Sequence, residues 1–206
     1  FGPGTMIASK DGEVPVEWLE TGDMLLTRDR SYQPILWIGR TTLPRNHFEQ
    51  FMQDIPVRIP AGTLGNNIPN HDLEVTGDHR LLIRSLAAEL MFSASEVFAP
   101  AKAWPEAGLA THCMPDAPYT LTHILCASHE VIMANGAWVE SMFPGPETLR
   151  RLSPVDRAGV TGLLGTDYTQ MQTARRCLTF REAVSLLGLQ RKPAGEVMAL
   201  NLARSA

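Results

Sequence analysis

The sequence predicts a mainly β body over residues 1–145, followed by a mainly helical extension over residues 146–206. Two observations carry the β assignment. Short apolar segments are broken by turn residues about every ten positions, the spacing of an all-β body. Asn135-Gly136 stands between two apolar arms, and Asn-Gly is the strongest short hairpin signal because both central positions tolerate positive φ. A third observation sets the boundary: after Pro144 the texture changes to helix-capping patterns. No repeat of fixed period is present.

The β elements follow in order. TMIAS (residues 5–9) is a short strand, and Lys10-Asp11-Gly12 is a hairpin turn. EVPVEWL continues the hairpin, with Pro15 marking an edge or a strand end. Gly22-Asp23 turns the chain into a strand from Met24, and QPILWIGRT is a further strand rich in β-formers. In DIPVRIP, Ile55, Val57 and Ile59 alternate onto one face. LEVTGDHRLLIRS gives two strand pieces, and AELMF with SEVFAP is expected to form another pair. YTLTHILCAS alternates strongly, and HEVIMANGAWVES is the cleanest hairpin. Trp18, Trp37 and Trp138 are expected as core aromatics, and Cys126 as a buried thiol.

The helical elements rest on caps. Ser153 is an N-cap, with Pro154 at the first helical position and Asp156 in the first turn. Thr179 and Glu182 have capping-box spacing, Gly188 is a stop, and Phe180, Val184 and Leu187 share one face. Residues 191–206 carry no signal.

Composition narrows the function. The 206 residues are 44% apolar, enough for a core, with a formal charge of -4 and a sequence pI of about 5.9. No basic run marks a nucleic-acid partner, and no apolar run approaches the roughly 20 residues of a bilayer span. The opening FGPGTMIAS has neither an initiator Met nor a signal-peptide pattern and has the look of a fragment's start. Cys113, Cys126 and Cys177 lack paired spacing, which excludes a zinc knuckle or a redox CxxC; Cys113, in a loop-like stretch, is the one candidate for a reactive thiol. The six histidines show no metal-ligand spacing, and no cofactor is expected. His129-Glu130 lacks the second histidine of the zinc-protease helix, since Met133 stands there. Gly2 and Gly4 open no dinucleotide loop, and no GxSxG elbow occurs.

One segment, LEVTGDHRLLI, has two readings. Thr76 and His79 either flank an ordinary Gly77-Asp78 turn at a strand end or form a polar pair converging on one backbone bond. Its neighbours favour the pair. FGPGTMIASKDGEVPVEWLETGDMLLTRD, with Val16-Glu17-Trp18-Leu19 and Gly22-Asp23-Met24-Leu25, resembles the opening block of the Hint family. That family comprises Hedgehog autoprocessing domains, inteins and bacterial intein-like domains. VTGDHRLLI resembles the family's T-x-x-H block, and HEVIMANGAWVES its last two blocks. The order of blocks is most similar to the bacterial branch found within larger secreted proteins, so export or a cell-surface location is compatible with it.

The resemblance implies a compact, horseshoe-like β fold in which the N- and C-terminal blocks meet. It implies self-processing, with the upstream polypeptide as substrate. A Cys or Ser immediately before Phe1 would attack the preceding peptide bond, Thr76 would orient the amide, His79 would protonate its nitrogen, and His129 would assist in the same cleft. Phe1 is thus the neighbour of the reacting residue. Glu140 and Ser141 occupy the C-terminal block, where inteins end in His-Asn, so cleavage or transfer to water or another nucleophile is expected in place of splicing. The chain starting at Phe1 is expected to be inert. The alternative is a catalytically silent Hint-fold module with a structural or interaction role in a larger exported protein.

Overall fold

The computed structural model describes residues 1–165 and 167–190. Strands form where apolar residues alternate and turns form where glycine or asparagine allows positive φ. The first hairpin joins β1 (Met6–Ser9) to β2 (Gly12–Pro15), and Pro15 ends β2, which pairs only with β1. The chain continues through β3 (Met24–Thr27) and the long β4 (Ser31–Leu43). After the short helix α1 (Arg45–Gln50) come β5 (Val57–Ile59), β6 (Leu73–Val75) and β7 (Arg80–Arg84). Then follow α2 (Leu86–Phe92), β8 (Glu96–Pro100), α3 (Ala103–Glu106), β9 (Thr111–His112) and β10 (Tyr119–Cys126). The final hairpin joins β11 (Val131–Ala134) to β12 (Ala137–Glu140) through Asn135 and Gly136, with φ of 47° and 75°. These are the positive values that a type I′ turn requires.

Ten strands make one curled sheet in the order β10-β4-β3-β1-β11-β12-β7-β8-β13, with β2 beside β1; β6-β5-β9 form a second, small sheet. The last strand, β13 (Arg176–Cys177), runs parallel to β8. The outer edge of β10 does not stay open. Phe1 and Thr122 exchange backbone hydrogen bonds of 2.8 and 2.9 Å, and the Met142 N–H donates to the Ile124 carbonyl at 2.7 Å. The segments just before β1 and just after β12 therefore meet side by side on one strand edge. This is the closure expected of the fold.

The core fills the concave side with Ile7, Leu25, Leu81, Val97, Ile132 and Val139, all sealed from water. A second cluster, Leu125, Met142, Leu149, Leu152 and Val160, joins the other face of β10 to α4 (Pro146–Arg151) and α5 (Pro154–Leu164). Helix α6 (Phe180–Gln190) packs on α2, α3 and β8. Both predicted caps form: Ser153 Oγ accepts from the Asp156 N–H at 3.1 Å, and Glu182 Oε2 accepts from the Thr179 N–H at 2.8 Å.

Five local expectations are corrected. AELMF lies in a helix, α2, whose N-cap Ser85 accepts from the Ala88 N–H; its residues are helix formers with no β-branched member. Trp18 is 75% exposed, because Val16 and Leu19 of the same turn point inward and leave it outside. Trp37 and Trp138 are half-buried, and the fully buried tryptophan is Trp104. On α6 the buried face is Ala183, Leu186 and Leu187, while Phe180 is exposed; the helix also runs past Gly188 to Gln190. Residues 191–206 lie outside the described residues.

Candidate active site

A cleft of about 840 Å³ opens where the chain start meets the β6–β7 turn; Phe1, Thr76, His79, His123, Glu140 and Ser141 are among its lining residues. Phe1 is 4% exposed. Its approach to the body depends on Gly2, where a Cβ would stand 2.1 Å from the Tyr119 hydroxyl. Burial pushes the Phe1 amino group down to about 5.

The turn from Thr76 to His79 is pinned by backbone. The His79 N–H donates to the Thr76 carbonyl at 3.1 Å, the Ala101 N–H to the His79 carbonyl at 2.7 Å, and the Lys102 N–H to the Gly77 carbonyl at 2.8 Å. Lys102 Nζ and Arg151 hold the Asp78 carboxylate at 2.6 and 3.0 Å. The main chain is fixed, yet the side chains that face the cleft are free. Among the described residues the Thr76 hydroxyl and the His79 ring make no hydrogen bond, and His79 Nε2 is sealed from solvent. The His79 ring lies edge-on to the Phe1 ring, with centroids 4.6 Å apart. Its pKa is held well below the usual value, first by burial and then by the positive charge of the Phe1 amine.

The C-terminal block forms the adjoining wall, beside the start of β7, and is bound up in partners. Glu140 accepts from the Arg80 N–H at 2.9 Å and pairs with its guanidinium at 3.0 Å. Ser141 Oγ accepts from the Glu130 N–H at 2.9 Å, and Glu130 is paired with Arg30. His129 is not among the residues lining the cleft. It is buried behind Glu140, its Nδ1 accepting from the Ala174 N–H at 3.1 Å and its Nε2 lying 3.2 Å from Glu140 Oε2. Asn135, singled out for its turn conformation, is also a clamp: its Oδ1 accepts from the Met6 N–H at 2.8 Å and its Nδ2 donates to the Asp72 carbonyl at 2.9 Å.

His123 is the cleft residue that sequence reasoning did not single out. It faces the cleft from β10, half-buried and without a hydrogen bond among the described residues. Burial, followed by the amine charge, lowers its pKa to about 4. The available signal was an imidazole within the alternating strand YTLTHILC. Among the described residues no group of three or more His, Cys, Asp or Glu could hold a metal ion, and no helix is long and apolar enough to cross a membrane.

Comparison with known proteins matches residues 1–146 to the Hint domain family. No curated protein matches the chain. The solution structure of a bacterial intein-like domain from Clostridium thermocellum is 12% identical, covers 69% of this chain and 97% of its own, and has a TM-score of 0.44. A GSH-linked, splice-inactive variant of the AceL NrdHF class 3 split intein is 14% identical, covers 67% of this chain and 94% of its own, and has a TM-score of 0.43. With the family match spanning residues 1–146 of 206, the chain belongs to the Hint domain family, a membership that supports an autoprocessing type of function.

Proposed function

We propose that the domain promotes an N-to-S or N-to-O acyl shift at the peptide bond before a Cys or Ser joined to the Phe1 nitrogen, with its own upstream polypeptide as substrate. The observation that carries this reading is the placement of Phe1, its nitrogen 2.8 Å from the Thr122 carbonyl and its ring 4.6 Å from that of His79. A neutral amide suits that buried nitrogen better than an ammonium, whose charge loses its water there.

Extended-chain geometry continues one residue upstream. Successive N–H groups point to opposite sides, so the N–H before Phe1 shares the direction of the Gly2 N–H. Gly2 donates to the Glu74 carbonyl at 2.8 Å, in the segment that leads into Thr76 and His79. The nitrogen on that side is the leaving group of the shift. As the nucleophile's bond to the carbonyl carbon forms and the C–N bond breaks, this nitrogen must gain a proton. Otherwise the tetrahedral intermediate expels the better leaving group, sulfur, and reverts. His79, with unoccupied ring nitrogens, is the proton donor in this reading, and Thr76 orients the amide. Burial, the first cause of the low His79 pKa, remains in the extended chain, and the second, the Phe1 amine charge, vanishes when that nitrogen is an amide.

The thioester or ester then passes to water or an added nucleophile in a single turnover. Splicing has no route here, because Ser141 has no side-chain amide to close a succinimide and its hydroxyl is held by Glu130. His129, behind the wall, contacts Glu140 and adds to the positive surroundings of His79.

The test extends the chain at Phe1 by a reporter followed by Cys or Ser and follows the products by mass spectrometry. The expected products are free reporter, or its thiol adduct when a thiol is added, and the domain carrying the nucleophile. No release from either extended chain would leave a catalytically silent fold, and a product joining reporter to residues after Ser141 would overturn the no-splicing statement.

A further inference from the structure

We infer that His123 is the base that takes the proton from the nucleophile preceding Phe1, leaving His79 to serve the amide nitrogen; this inference rests on the acyl-shift reading above. Strand register brings the two groups together. Phe1 and Thr122 exchange both backbone hydrogen bonds, which only an antiparallel hydrogen-bonded pair does. One step upstream of Phe1 therefore lies opposite one step downstream of Thr122, which is His123. That next pair is of the non-hydrogen-bonded type, in which Cα atoms lie about 4.5 Å apart and side chains approach closely.

The pleat then separates the two histidines. Phe1 packs in the main core with Ile124, on the Thr122 face of β10. The residue before Phe1 presents its side chain to the other face, the face of His123 and Leu125. That face is covered. Gly39 stands opposite His123, and the Trp37 ring fills the space where a Gly39 Cβ would be, its nearest atom 2.0 Å from that position. Helix α5 closes over Trp37 at Gly159. Met142 occupies the β10 edge at Ile124, so an upstream chain must leave the edge after one residue and turn its carbonyl into the cleft. His79 meets Phe1 from the other face, the wrong side to reach the nucleophile's side chain.

The step balances. His123 takes the S–H or O–H proton as the C–S or C–O bond forms. His79 gives its proton to the nitrogen as the C–N bond breaks; His123 then releases its proton to solvent and His79 regains one from solvent, so the net transfer is one proton from nucleophile to leaving nitrogen. The titratable groups facing His123 are the Phe1 amine, His79 and Asp156 of α5; its cross-strand neighbour Gly39 has none.

The experiment compares His123→Gln and His123→Ala with the parent in both extended chains, one led by Cys and one by Ser. A serine hydroxyl needs a base far more than a thiol of pKa about 8.5, a few per cent ionised unaided. The expected loss is about 10²–10⁴-fold for Ser and about tenfold for Cys, with the Cys-led variants recovering as pH rises through about 8.5. Equal slowing of both nucleophiles, or none, overturns the assignment. If the variants do not fold, the parent decides. With the base in place, Cys-led and Ser-led rates fall together on acidification through one shared ionisation; a Cys-led rate that follows only the thiol near pH 8.5 overturns it. Parent chains that release nothing overturn the acyl-shift reading itself, whereas release unaffected by His123 substitution removes His123 alone.

Discussion

The two walls of the cleft use the same kinds of residue in opposite ways. At the N-terminal wall, Thr76, His79 and His123 have side chains without a hydrogen bond among the described residues, on a backbone that is fully pinned. At the C-terminal wall, Glu140 and Ser141 are held by Arg80 and Glu130, and His129 is held at Nδ1 by the Ala174 N–H, while its Nε2, 3.2 Å from Glu140, is buried without a hydrogen bond among the described residues. A buried polar group without a partner costs stability, and the two unpaired imidazole nitrogens differ in what they face: His79 Nε2 belongs to a residue lining the cleft, His129 Nε2 lies against Glu140 behind it. The difference separates a wall suited to chemistry from a wall that holds shape, although both come from blocks the sequence shares with a self-processing family.

Substitutions should divide along the same line. The largest effect falls on rate: His79→Ala in the extended chain should slow reporter release about 10²–10⁴-fold, the usual worth of a general acid. Thr76→Ala should slow it less, since only positioning is lost. The next effect falls on stability. Glu140→Ala removes the partner of Arg80, and breaking a fully buried pair costs about 3–5 kcal/mol. Arg80 keeps 32% of its side chain exposed, so a loss of about 2–3 kcal/mol in urea unfolding is expected. No measurable change would mean that this wall is not the structural one.

A further effect, on stability, comes with pH. His123 has a folded pKa of about 4, below the unfolded value of 6.5, and His79 is shifted the same way. Over that window the unfolded chain binds more protons, so stability rises with pH and falls on acidification from 6.5 towards 4. Each group contributes at most about 1.4 kcal/mol per pH unit. The Phe1 amine adds the same sign between pH 8.0 and about 5, and this part should disappear in an extended chain. The shifts share the amine charge and do not sum. His123→Gln should flatten the acid limb, and an unchanged limb would show that the ring is not buried neutral.

Much of the fold was legible because local chemistry decided it. Asn135-Gly136 had to turn, Ser153 and Thr179 had to cap, and alternation in YTLTHILCAS had to be a strand. α2 was misread because apolar runs of five look alike as helix or strand, and Ser85 was the overlooked discriminator. Trp18 was misplaced because size and hydrophobicity say nothing about which way a tight turn points its third side chain. The Thr76–His79 pair was visible as a motif. His123 was not, because its neighbour across the cleft is set by the Phe1–Thr122 register, a contact 121 residues apart in the chain.

Whether the N-terminal wall does the chemistry is read from a mass-spectrometric time course of reporter release. The extended chain led by Cys is followed with a trapping thiol present, parent beside His79→Ala, at a temperature where both are folded. Thioester-derived release from the parent and a rate lower by about 10²-fold or more in the variant are expected. Equal release from the two would contradict that role of the wall.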